Sequence, residues 1–160
     1  MKVLGIDPGY DRLGVAVVEQ HNQDGVVVFS ECFETDARAA HAVRLAALSD
    51  EVGRVITQYQ PDALAIETLF FSVNKKTALK VAEARGAVLA AAAQHGLAVY
   101  EYAPGTIKTA ITGHGGSDKQ HLMAMLPHLV SLSKEITHDD EYDAIAVSLT
   151  WCAIENRHHT

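Results

Sequence analysis

Residues 2–18 read KVLGIDPGYDRLGVAVV, and this stretch contains the pattern that decides the fold. Its first apolar run, Lys2–Asp7, ends in an acid followed by Pro-Gly, which is typical of a buried strand that leaves into a turn. A second, valine-rich run covers residues 13–18, and a third covers residues 25–33, beyond a group of turn residues at 22–25. Together the three runs predict an antiparallel meander of three strands.

Helical and extended patterns alternate beyond the meander. Apolar residues recur at helical spacing over residues 39–60 and stop just before Pro61. The alanine-rich stretch 75–95 ends at Gly96, and Pro104 is typical of the start of another helix. The remaining patterns predict strands over 63–66 and 97–102, a helix that Ser117 or Asp118 caps and Pro127 closes after Leu126, and a last helix over 139–153.

This order of elements predicts an α/β domain. We expect a five-stranded mixed sheet, made of the three-strand antiparallel meander and two parallel strands, with helices on both faces. The length of 160 residues, with 48% hydrophobic and 21% charged residues, fits one domain over 1–160 and excludes a disordered chain or a coiled coil.

Two further observations bound the class of protein. Cys32 and Cys152 are too few for a disulfide framework, and no CxxC motif indicates a zinc or redox site. Neither a targeting segment nor an apolar stretch of about 20 residues is found, so we expect a cytoplasmic protein without a membrane span.

The charge is unevenly distributed along the chain. The net charge of −7 taken alone argues against a nucleic-acid partner. However, residues 75–134 hold seven basic and three acidic residues, whereas residues 1–74 hold five basic and eleven acidic ones, and residues 135–160 hold one and six. This asymmetry suits a protein that holds a polyanion beside metal-binding carboxylates, and it is equally typical of chance clustering on solvated faces.

Four acids stand where chemistry is expected. Asp7 and Glu67 each end a predicted strand, at the sheet edge where α/β proteins bind ligands. Either acid alone is typical of the first solvated residue of a turn, but at neighbouring strand ends the pair would lie side by side. Asp140 and Asp143 share one face of the last helix, where acids also suit the helix dipole. Converging carboxylates repel one another unless a cation joins them, and Mg²⁺ prefers oxygen ligands. Two such ions can support phosphodiester cleavage.

These acids belong to a longer series of motifs. The series comprises GIDPG at 5–9 with Gly14, AIE at 65–67 with Phe70 and Lys75-Lys76, ARG at 84–86, YAP at 102–104 with Lys108, GHGGSDK at 113–119, and DEYDA at 140–144. In this order and spacing the chain resembles the RuvC family of Holliday-junction resolvases over nearly its whole length.

The resemblance implies a ribonuclease-H-like fold and a homodimer that makes paired symmetric nicks in four-way DNA junctions during recombination and repair. It implies two Mg²⁺ ions per site, with Mn²⁺ as a substitute, products with 5′-phosphate and 3′-hydroxyl ends, and a branch-migration complex of the RuvA and RuvB type as partner. The family's metal ligands fall on Asp7, Glu67, Asp140 and Asp143. Asp139 or His138 could share the role of Asp140.

The resemblance also implies residues that contact DNA. Lys108 and Lys119 match family lysines beside the cut, and Lys119 is also expected to act in catalysis. Phe70 matches a wedge that stacks on bases, and Phe71 follows it in the same loop. Apart from the resemblance, Lys75, Lys76, Lys80 and Arg85 lie on or before one helix and predict a track along the DNA backbone. The small residues on one side of that helix, Ala82, Gly86, Ala90 and Ala93, allow close packing either against the chain's own sheet or against a second copy, and we interpret them as a two-fold interface.

Three other functions fit parts of the sequence. An actin-like ATPase fragment could use Asp7 and Gly9, but such proteins need two such domains, which 160 residues do not hold. A non-catalytic junction-binding module would be expected to lack one of the four acids. A related nuclease that acts on RNA or ordinary duplex stays open. The sequence pI near 5.6 also departs from the basic character usual among junction resolvases.

Overall fold

A mixed β-sheet forms the centre of the molecule. The structure is a computed structural model that describes residues 1–21, 24–69 and 75–155, without the side chains of Asp24, Lys75 and Lys76. Within these ranges the strands are β1 (Lys2–Asp7), β2 (Arg12–His21), β3 (Asp24–Glu34), β4 (Ala63–Glu67), β5 (Ala98–Tyr102) and β6 (Val130–Leu132). Their order across the sheet is β5-β4-β1-β2-β3-β6.

The strand directions match the prediction from the sequence. β1, β2 and β3 form the antiparallel meander, and β4 and β5 continue the sheet in parallel beyond β1. The prediction of five strands was short by one, because β6 pairs in parallel with β3 at the opposite edge. β6 is only three residues long, VSL, which is too short to show the alternation that marks a strand.

Helices cover both faces of the sheet, as expected. They are α1 (His41–Tyr59), α2 (Lys75–Gln94), α3 (Pro104–Thr112), α4 (Lys119–Leu129) and α5 (Asp139–Glu155). Alternate side chains of β1 divide between the faces. Val3 joins the core beneath α3, α4 and α5, whereas Leu4 and Ile6 join the core beneath α1 and α2.

The boundary prediction for α4 was half right. Asp118 caps the helix by accepting a hydrogen bond from the backbone N–H of His121. Pro127, however, does not close the helix, which continues to Leu129. Proline removes one backbone donor, but the final turn still closes because the N–H of Val130 bonds to the carbonyl of Leu126.

None of the helices in the described ranges has both the length and the apolar character needed to cross a bilayer.

Candidate active site

Asp7 and Glu67 lie next to each other at one edge of the sheet. β1 and β4 are parallel neighbours paired through Ile6 and Ile66, so the residues that follow end both strands at the same level. Because side chains alternate along a strand, Asp7 shares the face of Val3, and Glu67 shares the face of Ala63 and Ala65. Both carboxylates therefore belong to the face that α5 covers.

Two glycines let the start of α5 approach this edge closely. A Cβ built on Gly5 would lie 2.1 Å from the carbonyl oxygen of Ala144. A Cβ on Gly14, which pairs with Asp7 across the β1–β2 ladder, would lie 2.0 Å from the carbonyl oxygen of Asp140 and 3.0 Å from the Cβ of Asp7. Hydrogen in place of these side chains is what brings the acids of α5 to those of the sheet.

We call Asp7, Glu67, Asp140 and Asp143 the acid cluster. Burial raises the pKa of Asp7 to about 7, and the negative charges of Asp143, Glu67 and Asp140 add to the increase, while Lys119 opposes it. Burial, followed by the charge of Asp143, also raises the pKa of Glu67. Burial likewise raises the pKa of Asp143, although Lys119 donates a hydrogen bond to it. The cluster therefore carries more negative charge than the cations around it offset.

Lys108 and Lys119 lie in the cleft beside the cluster. The cleft has a volume of about 280 Å³ and is lined by Glu67, Asp143 and these two lysines, with Pro104, Ile107, Leu122 and Ala146 as its apolar wall. Lys119 Nζ lies 2.8 Å from Asp143 Oδ2 and 3.4 Å from Asp139 Oδ2. The structure thus brings both lysines to the acids, as the sequence predicts.

Asp140 and Asp139 have different surroundings. Arg12 Nε lies 3.4 Å from Asp140 Oδ2, and the thiol of Cys32 donates to the same oxygen at 3.6 Å. Asp140 also contributes to the raised pKa of Asp7. Asp139 is more exposed and faces Lys119. Of the two, Asp140 is the one positioned toward the sheet acids.

The donor set fits a hard divalent cation in its chemistry. All four members of the acid cluster offer carboxylate oxygens, and only Oδ2 of Asp140 and of Asp143 has a protein partner within the described residues. In their present positions, no three His, Cys, Asp or Glu side chains in that part of the chain are grouped closely enough to hold one metal ion. A bound cation would require these carboxylates to move closer together, and at Oδ2 it would compete with Arg12 for Asp140 and with Lys119 for Asp143.

The other residues predicted to contact DNA either do not line the cleft or lie outside the residues that the structure describes. Lys80 sits with its Nζ 5.2 Å from the ring centre of Tyr10. Arg85 is largely buried, pairs with Glu101 and donates to the backbone carbonyl of Glu67 at 3.4 Å. Phe70 and Phe71, and the side chains of Lys75 and Lys76, lie outside the described residues. As DNA contacts, these six residues stay predictions.

Sequence reasoning missed the residues that support the acids. Arg12, Cys32 and Ser30 all lie on the α5 face, because Cys32 pairs with Gly14 and Ser30 with Ala16. Counting every second residue back from the glycine of β2 would have found Arg12. Glu141, only 2% exposed, accepts a hydrogen bond from Ser30 at 2.7 Å and pairs with Lys134 at 2.7 Å.

A second network anchors the loop after Asp7 on the opposite face. The hydroxyl of Tyr10 lies 2.8 Å from His41 Nδ1, and His41 Nε2 lies 2.8 Å from Glu83. The guanidinium of Arg44 packs 4.0 Å from the ring centre of Tyr10 and pairs with Asp11. These contacts connect the loop to both α1 and α2, so the position of Asp7 is supported from two sides.

Comparison with known proteins agrees with this geometry. Residues 3–151 match the family model described as crossover junction endodeoxyribonuclease RuvC. The crossover junction endodeoxyribonuclease RuvC of Thermosipho melanesiensis is 42% identical over 158 residues, which cover 98% of this chain and 99% of that protein. That of Roseiflexus sp. is 43% identical over 150 residues, which cover 92% and 88%.

Solved structures show the same similarity. Thermus thermophilus RuvC in complex with a Holliday junction substrate is 31% identical, with a TM-score of 0.92 over 99% of this chain and 96% of that one. The yeast mitochondrial Holliday junction resolvase Ydc2 is 12% identical, with a TM-score of 0.71 over 98% and 82%, and so shares the fold. The sheet topology, the family match and these relatives lead to one conclusion: this chain belongs to the RuvC family of crossover junction endodeoxyribonucleases.

Proposed function

We propose that this chain resolves Holliday junctions as a structure-selective endodeoxyribonuclease that makes paired symmetric nicks in recombination and repair. The observation that supports this most is the cleft in which carboxylates from β4 and α5 meet Lys108 and Lys119, with Asp7 directly beside it. The similar Thermus thermophilus RuvC binds a Holliday junction substrate in its solved complex.

The acid cluster is the proposed site of two Mg²⁺ ions, for which Mn²⁺ would substitute. Asp7 and Glu67 would hold them from the sheet, and Asp140 and Asp143 from α5. When bound, a pair of such ions supplies an attacking water and stabilises the leaving oxygen, and the proposed products carry 5′-phosphate and 3′-hydroxyl ends. The raised pKa of Asp7 supports this site, because an uncompensated group of buried acids gains most from a cation.

The lysines of the cleft are proposed to act on the phosphate. The positive charges of Lys108 and Lys119 both lower the pKa of Glu67, which shows that both side chains lie close to it. A phosphate beside that acid would therefore lie within reach of two ammonium groups. The apolar wall of Ile107 and Leu122 lowers the local dielectric constant and strengthens these interactions. The lysines would thereby offset charge that develops during cleavage.

Paired nicking requires two sites, and α2 offers a surface for the dimer. Of the four small residues predicted to form the interface, Gly86, Ala90 and Ala93 are exposed. A Cβ built on Gly86 would meet no atom within 4 Å. Leu79, which is 62% exposed, extends the same face at helical spacing. A two-fold axis through this face would relate two acid clusters.

The remaining parts of the proposal concern context. The junction is the proposed DNA substrate, with Phe70 and Phe71 as a wedge and Lys75, Lys76, Lys80 and Arg85 along its backbone. A branch-migration complex of the RuvA and RuvB type is the proposed partner, and the cytoplasm the proposed location.

A nicking assay tests the proposal. Labelled four-way junction, linear duplex and RNA duplex of matched length are incubated with the protein and Mg²⁺ or EDTA, and the labelled ends of the products are identified. We expect Mg²⁺-dependent nicks at symmetric positions in the junction alone, from a species with the mass of a dimer. Equal cleavage of linear duplex or of RNA would instead identify a nuclease with a different substrate.

A further inference from the structure

Arg12 is a basic side chain beside Asp140 that the proposed function does not use. It opens β2 directly after the loop that follows Asp7, and its Nε lies 3.4 Å from Asp140 Oδ2. Among the described residues this is the one ion pair of Arg12, and its side chain is 52% exposed. Arg12 therefore faces both the acid cluster and the solvent from which DNA would approach.

Arg12 and Lys119 form a matched pair around α5. Arg12 lies on Oδ2 of Asp140, and Lys119 lies on Oδ2 of Asp143 and also pairs with Asp139. Each is about half exposed, at 52% and 48%. The two acids are mostly buried, at 20% and 27% exposed, but water solvates both bases, and side-chain entropy opposes an ion pair made by a half-exposed base. Neither base is therefore held strongly to its acid.

The two bases lie on opposite sides of Asp7. The sheet order is β4-β1-β2, so Glu67 with its neighbouring lysines lies on one side of β1 and Arg12 lies on the other. Strands are spaced about 4.8 Å apart, which separates the ends of β4 and β2 by roughly 10 Å. A DNA strand lying across the acid cluster would present one phosphate near Lys119 and a neighbouring one near Arg12.

We infer that Arg12 is an exchangeable counter-ion that neutralises Asp140 in the cation-free protein and binds a DNA phosphate beside the cut once a divalent cation takes that carboxylate. The inference rests on the proposed function, because it requires a cation at the acid cluster and a phosphate next to it. Cys32, which donates to the same oxygen of Asp140 at 3.6 Å, leaves that carboxylate with a protein contact when Arg12 moves away.

Two binding measurements on Arg12→Ala separate this role from a structural one, because they change in opposite directions. The DNA-free protein is titrated with Mn²⁺, and binding is followed by calorimetry or by the electron paramagnetic resonance signal of free Mn²⁺. We expect two- to five-fold tighter binding, since the guanidinium of Arg12 no longer competes with the metal for Asp140. Junction binding in Ca²⁺ is expected to weaken three- to ten-fold. The slope of log affinity against log salt should decrease by a little under one, the value for one lost phosphate contact.

Two further variants serve as controls. Arg12→Lys keeps the charge and is expected to restore both measurements most of the way. Arg38→Ala removes an exposed arginine that pairs with Asp36 away from the site, and both measurements should match the wild type.

The outcomes distinguish this inference from the proposed function. Weaker Mn²⁺ binding together with weaker junction binding would assign Arg12 to structural support and overturn the inference, as would unchanged junction affinity. In either case a wild-type protein that binds Mn²⁺ and nicks junctions would leave the proposed function intact. A wild-type protein that binds no Mn²⁺ would overturn both.

Discussion

Asp7 is the residue on which the acid cluster depends most directly, since its pKa responds to all three other members. We predict that Asp7→Asn leaves junction binding in EDTA equal or tighter and lowers nicking by orders of magnitude. Above about pH 7, where Asp7 is ionised, a carboxylate ~4 Å from a phosphate costs up to ~4 kcal/mol before screening at an effective dielectric constant of about 20, and the amide removes that cost. An amide is also a poor Mg²⁺ ligand. Gel-shift and nicking assays on the same preparation check both parts, and near wild-type nicking would contradict the metal assignment.

The pKa of Asp7 also predicts how stability depends on pH. Burial raises the pKa of Asp7 so that the folded protein holds its proton up to about pH 7, whereas the unfolded chain releases it near the ordinary pKa of 3.8. Asp7 therefore contributes stability that is fully present below pH 3.8 and is lost as pH rises through 7, by roughly 2–4 kcal/mol. Thermal melts in EDTA between pH 5 and 8 should show a smaller decrease for Asp7→Asn than for the wild type. Parallel curves would show that Asp7 titrates normally.

The two cleft lysines give a separate prediction. Lys119→Ala and Lys108→Ala should each slow single-turnover cleavage of bound junction by tenfold or more, while junction affinity decreases only a few-fold. Each lysine is one of several phosphate contacts but lies beside the acids. Lys2→Ala, at the far end of β1, is the control. Lost affinity with an unchanged cleavage rate would assign the lysines to binding alone.

At the scale of single residues, the sequence predicts the acids themselves but not the contacts that other side chains make with them. Asp7 and Glu67 could be predicted because each follows an apolar run, and parallel neighbours end at one edge. Strand alternation places Arg12 on the α5 face, but its contact with Asp140, like that of Cys32, could not be predicted, because it depends on how closely α5 docks on β2 and β3.

Helix α5 approaches the sheet only because β1 and β2 carry glycine at the contact. We predict that Gly14→Ala lowers the thermal midpoint and reduces nicking at least tenfold, because its Cβ would lie 2.0 Å from the Asp140 carbonyl and must push the helix outward. Gly105→Ala is the matched control, since its Cβ would meet no atom within 4 Å and alanine favours a helix. Melts and nicking rates of both variants check this. Wild-type behaviour of Gly14→Ala would show that the close approach is unimportant for the site.

Elements were predictable where they are long and periodic. The meander, α1, α2 and α5 were found within a few residues of their observed ends. β6 was missed because three residues carry no period, and the pairing with β3 that defines it lies over 100 residues away in the chain. The prediction that Pro127 closes α4 was wrong because a proline in the last helical turn removes only one backbone bond, and the N–H of Val130 still bonds to the carbonyl of Leu126.

The whole molecule should respond to divalent cations. We predict that Mg²⁺ or Mn²⁺ raises the thermal midpoint at pH 7.5 by several degrees, because a ligand that binds only the folded state stabilises it and this one also relieves repulsion within the acid cluster. A metal titration followed by melting checks the prediction, with Asp7→Asn expected to respond less. A midpoint that stays constant across the titration would count against a shared site.

On the same scale, the layered α/β arrangement and the uneven distribution of charge could be predicted, since both follow from patterns that run along the chain. The way in which the acidic ends and the basic middle of the chain come together could not be predicted. β1, β4 and α5 contribute the acids from positions 7, 67, 140 and 143, and only the assembled sheet order brings these segments together.

That assembly has a consequence for the cell that makes the protein. A ribosome releases the segments in order, and domains generally fold as the chain emerges. The sheet acids of β1 and β4 precede α5 by more than 70 residues, so a growing chain carries half of the cluster long before the other half exists. No nascent fragment that lacks the last helix holds a complete set of ligands. If the proposed function holds, the nuclease site is thus incomplete in every growing chain that has not yet released α5, and it becomes complete only when α5 docks against Gly5 and Gly14.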